Sequence, residues 1–132
     1  MLTVLYVEDD AASRDVLKMI QRMNPGFMST VMLNESNQFE EKLLKLAPQP
    51  NLILLDIHVK PYTGFEMLEM IRRHTEFDAT PVVALTASVM NEEIELLKEA
   101  GFQGVLAKPL NMDEFPNLIR RIMVGEKVWY VW

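Results

Sequence analysis

Asn51-Leu52-Ile53-Leu54-Leu55-Asp56-Ile57-His58-Val59-Lys60-Pro61-Tyr62-Thr63-Gly64 is the stretch on which the reading of this chain turns. Four apolar residues, Leu52 to Leu55, run into an acid and then into a turn-rich segment holding Pro61 and Gly64. An uninterrupted apolar run this short, with Pro50 just before it, predicts a strand buried on both faces, as in a parallel sheet covered by helices. A carboxylate at the end of such a strand is costly to bury unless something uses it. In open α/β sheets the carboxyl edge of the strands is where ligands bind, so Asp56 becomes the first candidate functional residue.

Outward from this stretch the same alternation repeats. Leu2 to Val7 predicts a first strand that stops at Glu8-Asp9-Asp10. Ala12, Val16, Met19, Ile20 and Met23 then recur with helical spacing until Pro25-Gly26. Phe27 to Leu33 predicts a second strand, and Ser36 or Asn37 can cap a helix carrying Phe39, Leu43, Leu46 and Ala47. After the opening stretch, Thr63 and Glu66 have the spacing of a capping box for a third helix. Pro81 to Leu85 predicts a fourth buried strand, with a helix capped by Asn91 and closed by Gly101. Gly104 to Ala107 predicts a fifth strand ending at Lys108-Pro109, and the last helix carries Phe115, Leu118, Ile119 and Ile122. Pro116 is tolerated in that helix if Asp113 is its N-cap. Five strands alternating with five helices imply an α/β, doubly wound parallel sheet of order 2-1-3-4-5, whose switch point lies between the first and third strands.

Composition bounds the function. The chain has 132 residues, enough for one domain, and we expect that domain over residues 1–125 with an aromatic tail over 126–132. A net charge of −6 disfavours nucleic acid as a direct partner. The absence of cysteine excludes thiolate chemistry and is compatible with the cytoplasm. No basic segment precedes the first strand and no apolar run is long enough for a bilayer, so neither signal peptide nor membrane span is expected. The ten methionines fall mainly at helical spacing and are read as core filler.

Four strand ends carry polar groups: Glu8-Asp9, Asp56, Thr86 and Lys108. Parallel strands bring all of them to one edge. Three clustered carboxylates repel one another and call for a cation, and an oxygen-only set favours a hard ion such as Mg²⁺. With Lys108 and the Thr86 hydroxyl, this set offers a phosphoryl group charge neutralisation and a hydrogen-bond donor. A carboxylate nucleophile can take that group as an aspartyl-phosphate, and Asp56 is central enough to attack. Taken singly, Asp56 reads as a loop cap, Glu8-Asp9-Asp10 as the acidic start of a helix with Asp10 its cap, and Lys108 as a surface lysine. Their joint position at one edge outweighs those readings.

The motifs Tyr6-Val7-Glu8-Asp9-Asp10, Leu54-Leu55-Asp56-Ile57, Ala84-Leu85-Thr86-Ala87 and Ala107-Lys108-Pro109 resemble the receiver domain of two-component response regulators, over about residues 2–124. The resemblance implies a flavodoxin-like (βα)5 fold and a single-domain receiver acting as a cytoplasmic signalling module, not as an enzyme. It implies that Asp56 accepts a phosphoryl group from a histidine kinase or a histidine phosphotransfer protein. Asp9, Asp56 and the backbone carbonyl of His58 would hold Mg²⁺, with Glu8 acting through metal-bound water. Thr86 and Lys108 would contact the phosphoryl group, the Lys108–Pro109 bond would be cis, and Ala87 would supply a small neighbour. His58 and Ser88 occupy positions that tune how long the phosphoryl group survives. Output would pass through the face of the fourth and fifth helices and fifth strand to a downstream protein. Two departures stand out. Val105 takes the place of the family's Tyr or Phe, and Lys60 precedes Pro61 and Tyr62 near the mouth of the site.

Other functions fit less well. A receiver-like scaffold that ignores phosphate is suggested only by Val105 and Lys60. A phosphohydrolase of the haloacid dehalogenase type needs an acid where His58 stands. A flavodoxin-like cofactor binder needs open amides where Glu8-Asp9-Asp10 would repel phosphate. The tail Val128-Trp129-Tyr130-Val131-Trp132 suggests packing onto the last helix or self-association as a homodimer.

Overall fold

The computed structural model describes residues 1–88 and 90–130. Five strands follow the expected order: β1 (Leu2–Val7), β2 (Met28–Leu33), β3 (Leu52–Asp56), β4 (Val82–Thr86) and β5 (Gly104–Ala107). A sixth, β6 (Val128–Tyr130), comes from the segment read as a tail, and the parallel sheet runs β2-β1-β3-β4-β5-β6. Val131 and Trp132, the rest of that aromatic segment, lie outside the described residues. Between strands lie α1 (Ala11–Met23), α2 (Phe39–Leu44), α3 (Gly64–Arg72), α4 (Asn91–Ala100) and α5 (Phe115–Met123).

Alternation along each strand divides the core between the sheet's two faces. Val4, Tyr6, Leu52, Leu54, Val83, Leu85 and Leu106 face α1 and α5, where Leu17, Ile20, Phe115, Ile119 and Ile122 close over them. Leu5, Val7, Ile53, Leu55, Val82, Ala84 and Val105 face the other way, under Phe39, Leu43, Met67, Leu68, Ile71 and Leu97. Both faces of β3 are buried throughout, as its unbroken apolar run requires. The fold is a flavodoxin-like α/β sheet with helices on both sides.

Helix starts were less legible than strands. Asp10 caps α1 by accepting from the Ser13 amide at 3.1 Å, and Thr63 and Glu66 close the expected capping box on α3. Gly101 ends α4 in the left-handed region. The other expected caps are corrected. Neither Ser36 nor Asn37 caps α2, whose N-cap is Gln38 in a left-handed conformation without a side-chain bond. The N-cap of α4 is Met90, with Asn91 the first helical residue. For α5 the N-cap is Glu114, not Asp113, and the Asn111 side-chain oxygen Oδ1 accepts from both the Asp113 and Glu114 amides. Pro116 sits in the first turn, where its missing N–H costs nothing. The core-filler reading of the methionines holds in part: Met28 and Met67 are buried, and Met32, Met70, Met112 and Met123 pack against the core, whereas Met1, Met19, Met23 and Met90 are exposed.

Candidate functional site

Backbone hydrogen bonds fix the carboxyl edge before any side chain is considered. The Glu8 amide donates to Leu33 O at 2.9 Å, Ile57 N to Leu85 O at 3.2 Å, and Lys108 N to Thr86 O at 2.9 Å. Each pairing holds the last turn of a strand against its neighbour. Glu8, Asp56, Thr86 and Lys108 therefore meet across β1, β3, β4 and β5, as the sequence places them.

Among the described residues, one carboxylate oxygen each from Glu8, Asp9 and Asp56 all lie within 4.8 Å of one another. Glu8 has no exposed surface and Asp56 is 3% exposed, whereas Asp9 faces solvent. Lys108 Nζ donates to Glu8 Oε1 at 2.9 Å and lies 3.5 Å from Asp56 Oδ2. One cation thus serves two buried acids. Burial and the adjacent Asp56 push the Glu8 carboxyl up to about 7, against the opposing pull of Lys108. Burial alone would raise Asp56 too, but Glu8, the His58 N–H and Lys108 together hold it below the usual carboxylate range. Burial would lower Lys108, and Glu8 and Asp56 more than reverse that, keeping it protonated. A raised Glu8 beside an ionised Asp56 marks a cluster short of positive charge. Its all-oxygen donors fit a hard divalent cation with waters completing the shell.

Supports for this cluster come from residues to which the sequence assigned no role in the site. The Tyr6 hydroxyl donates to Glu8 Oε1 at 3.1 Å, and burial followed by the Glu8 charge pushes its phenol well above the usual value. A phenol in an otherwise apolar strand needs a polar partner, a signal available from sequence. Arg14 donates to the Glu8 carbonyl at 2.7 Å. Ser36 is fully buried; its hydroxyl donates to Tyr62 O at 2.7 Å and accepts from Tyr62 N at 2.6 Å, while its amide donates to Lys60 O at 3.1 Å. That one residue pins the 58–62 loop, whose Lys60–Pro61 bond is cis. No local pattern could reveal this, because the partners are 26 residues apart.

The remaining expected residues take clear positions. His58 is exposed, and its amide donates to Asp56 Oδ1 at 3.1 Å. Thr86 is 2% exposed; its hydroxyl donates to Ser88 O at 3.2 Å and accepts from Ser88 N at 3.1 Å, so it is turned to its own loop. The Lys108–Pro109 bond is cis. Val105 is fully buried, and its neighbour across the β5–β6 ladder is Trp129. Trp129 packs on the core beside Val105, with Lys98 Nζ 5.1 Å from its ring centroid. β6 thus sets an aromatic ring directly beside Val105. Among the described residues, no helix is long and apolar enough to cross a membrane.

The chain is similar in sequence and fold to known proteins. The family model for the response regulator receiver domain matches residues 4–120. The sensor histidine kinase AruS of Pseudomonas aeruginosa is 39% identical over 125 residues, covering 92% of this chain and 12% of the kinase. The signal transduction histidine-protein kinase BarA of Escherichia coli is 32% identical over 127 residues, covering 96% of this chain and 13% of that protein. The chain thus spans about an eighth of the length of these relatives. Among solved structures, the receiver domain of a Pseudomonas aeruginosa sensor histidine kinase superposes with a TM-score of 0.79 at 22% identity, covering 94% of this chain and 98% of that one. That structure holds a magnesium ion in its active-site cleft. The chemotaxis response regulator CheY4 of Vibrio cholerae gives a TM-score of 0.81 at 23% identity, with 92% and 98% coverage.

Proposed function

The chain belongs to the response-regulator receiver family, a signalling module of two-component systems, and from that premise we propose that Asp56 is its phosphoacceptor. The observation that carries this reading is the meeting of Glu8, Asp9, Asp56 and Lys108 at one sheet edge, with Asp56 held ionised beside Lys108. In the transfer, an Asp56 oxygen attacks the phosphorus of a phosphohistidine. The new O–P bond forms as the P–N bond breaks, and the electron pair stays on the imidazole nitrogen, which takes up a proton. Mg²⁺, when bound, supplies neutralisation of the charge that builds on the phosphoryl oxygens. Asp9, Asp56 and the His58 carbonyl are its proposed protein ligands, with Glu8 reaching it through water. Lys108 is already within 3.5 Å of Asp56 and pairs with the phosphoryl group. Thr86 hydrogen-bonds it after releasing Ser88. Nothing in this scheme turns over a separate substrate, so the protein acts as a signalling switch and not as an enzyme.

The phosphodonor is a histidine kinase or a histidine phosphotransfer protein in the cytoplasm, and the signal leaves by contact with a downstream protein. The relatives support the donor class, because the receiver match falls within sensor kinases. The test uses acetyl phosphate and Mg²⁺ as a small phosphodonor mixture, read by intact-mass spectrometry. Wild type gains one phosphoryl group and Asp56→Asn gains none. A wild-type chain that binds Mg²⁺ yet gains no mass overturns the reading in favour of a phosphate-independent scaffold.

A further inference from the structure

A cleft of about 150 Å³ opens between α3 and α4 on the sheet face away from α1 and α5. Ile57, Phe65 and Leu96 give it apolar walls, Thr86 and His58 line the end toward Asp56, and Glu93 lines it from the first turn of α4. Glu93 Oε2 is buried, and it has no hydrogen-bond partner among the described residues. A buried carboxylate oxygen left without a partner is costly, and such oxygens are rare in folded proteins.

The structure contains its own control for this oxygen. Glu66 is the third residue of α3, as Glu93 is of α4, and Glu66 folds back so that its Oε1 accepts from the Thr63 amide at 3.0 Å. Glu93 makes no such bond to Met90, the N-cap of its helix. Attraction to the helix dipole explains an acid in this turn but not one whose oxygen is buried in a cleft; exposed Glu92 beside it answers to the dipole equally well.

The surroundings specify what would complete the site. Leu96, 55% exposed, gives the cleft an apolar lip. Beyond Leu96, the outer face of α4 exposes Glu92, Glu95 and Glu99. The helix's one basic residue, Lys98, is taken up by Glu95 at 3.3 Å and by the Trp129 ring. The space is smaller than cofactor pockets, which start near roughly 300 Å³. It suits one long side chain with an apolar stem and a cationic head. We propose that the α3–α4 cleft is a socket for a single Arg or Lys side chain of a partner protein, with the Glu93 carboxylate as its anchor. The acids on the outer face of α4 and the net charge of −6 steer a basic partner segment toward this side of the molecule.

N-Propylguanidinium, the arginine side chain without its backbone, is the probe, titrated into ¹⁵N-labelled, unphosphorylated protein and followed by amide chemical shifts. The proposal expects saturable shifts at Phe65, Thr86, Glu93 and Leu97 with millimolar affinity. It expects binding weakened by about tenfold or more in Glu93→Gln, and for neutral N-propylurea on wild type. Equal binding of the urea, undiminished binding by Glu93→Gln, or shifts spread evenly over Glu92, Glu95 and Glu99 overturns it. Thermal unfolding of Glu93→Met supplies a readout free of the probe. An unchanged or higher midpoint supports the socket, whereas a lower one shows that the carboxylate serves the fold and overturns it. Because Asp56 is unmodified throughout, neither result depends on phosphorylation.

Discussion

Glu8 and Asp56 sit at the ends of neighbouring strands with almost no exposed surface. Burial raises both, but the hydrogen bond from Glu8, the His58 N–H and Lys108 hold Asp56 ionised while Glu8 keeps its proton. Glu8 is pushed from an ordinary 4.5 up to about 7 while Asp56 is held low. Between those Glu8 values the unfolded chain gives up a proton that the folded chain retains. Stability of the metal-free protein therefore falls as pH rises through that window. Below about 4.5 both states hold the proton and the cost vanishes; above about 7 the full cost, on the order of 3 kcal/mol, stands. Urea unfolding with chelator present, run from about pH 5 to about pH 7.5, should show this decline in wild type and a much flatter profile in Glu8→Gln. Adding Mg²⁺ above pH 7 should restore stability in wild type by mass action. At this scale the acids themselves were legible, because a charge ending an apolar run has to be accounted for. Tyr6 carried a signal, since a phenol in an apolar strand needs a polar partner and Glu8 lies two residues on. Ser36 carried none, since the partner of its hydroxyl is set by the fold. For Ser36 the competing helix-cap reading was locally just as sensible.

Among elements, the junction between β3 and α3 leaves no room for a side chain at Gly64. A methyl group added at Gly64 would lie 2.6 Å from Ile57 Cδ1 and 3.1 Å from Ile57 Cα. The side-chain tip can swing away, but the backbone carbon follows directly on Asp56 and cannot move freely. Gly64→Ala should therefore cost about 1–3 kcal/mol, read as a lower unfolding midpoint. Thr63→Ala, which removes one half of the α3 capping box, should cost about 1 kcal/mol in the same assay. Helix existence was legible from the 3.6-residue spacing of buried residues, and so was the α3 start, where two side chains reciprocate. The starts of α2, α4 and α5 were misplaced by one to two residues. There the backbone begins the helix without help from a neighbouring hydroxyl or carboxylate at the N-cap.

For the molecule as a whole, β6 is the feature that sequence reading passed over. Val128-Trp129-Tyr130 has no polar alternation to announce a strand, and aromatic runs fit partner surfaces equally well. Its place in the sheet depends on Gly104, where an added Cβ would stand 3.0 Å from Val128 O. Val128 is 3% exposed and Trp129 packs on the core. Ending the chain at Lys127 should lower stability by about 2–4 kcal/mol from lost apolar burial. It should also bare the β5 edge, so concentration-dependent association should appear in sedimentation velocity. The direction of β6 has a practical corollary. After α5 the backbone is at the amino edge of the sheet, and a parallel β6 carries it back to the carboxyl edge, level with Leu106 at Tyr130. Three strand spacings, about 14 Å, separate β6 from β3. An environment-sensitive dye attached at position 130 would consequently be joined to backbone at the rim that holds Asp56, whereas the same dye at Lys127 would sit at the opposite rim and serve as its silent reference.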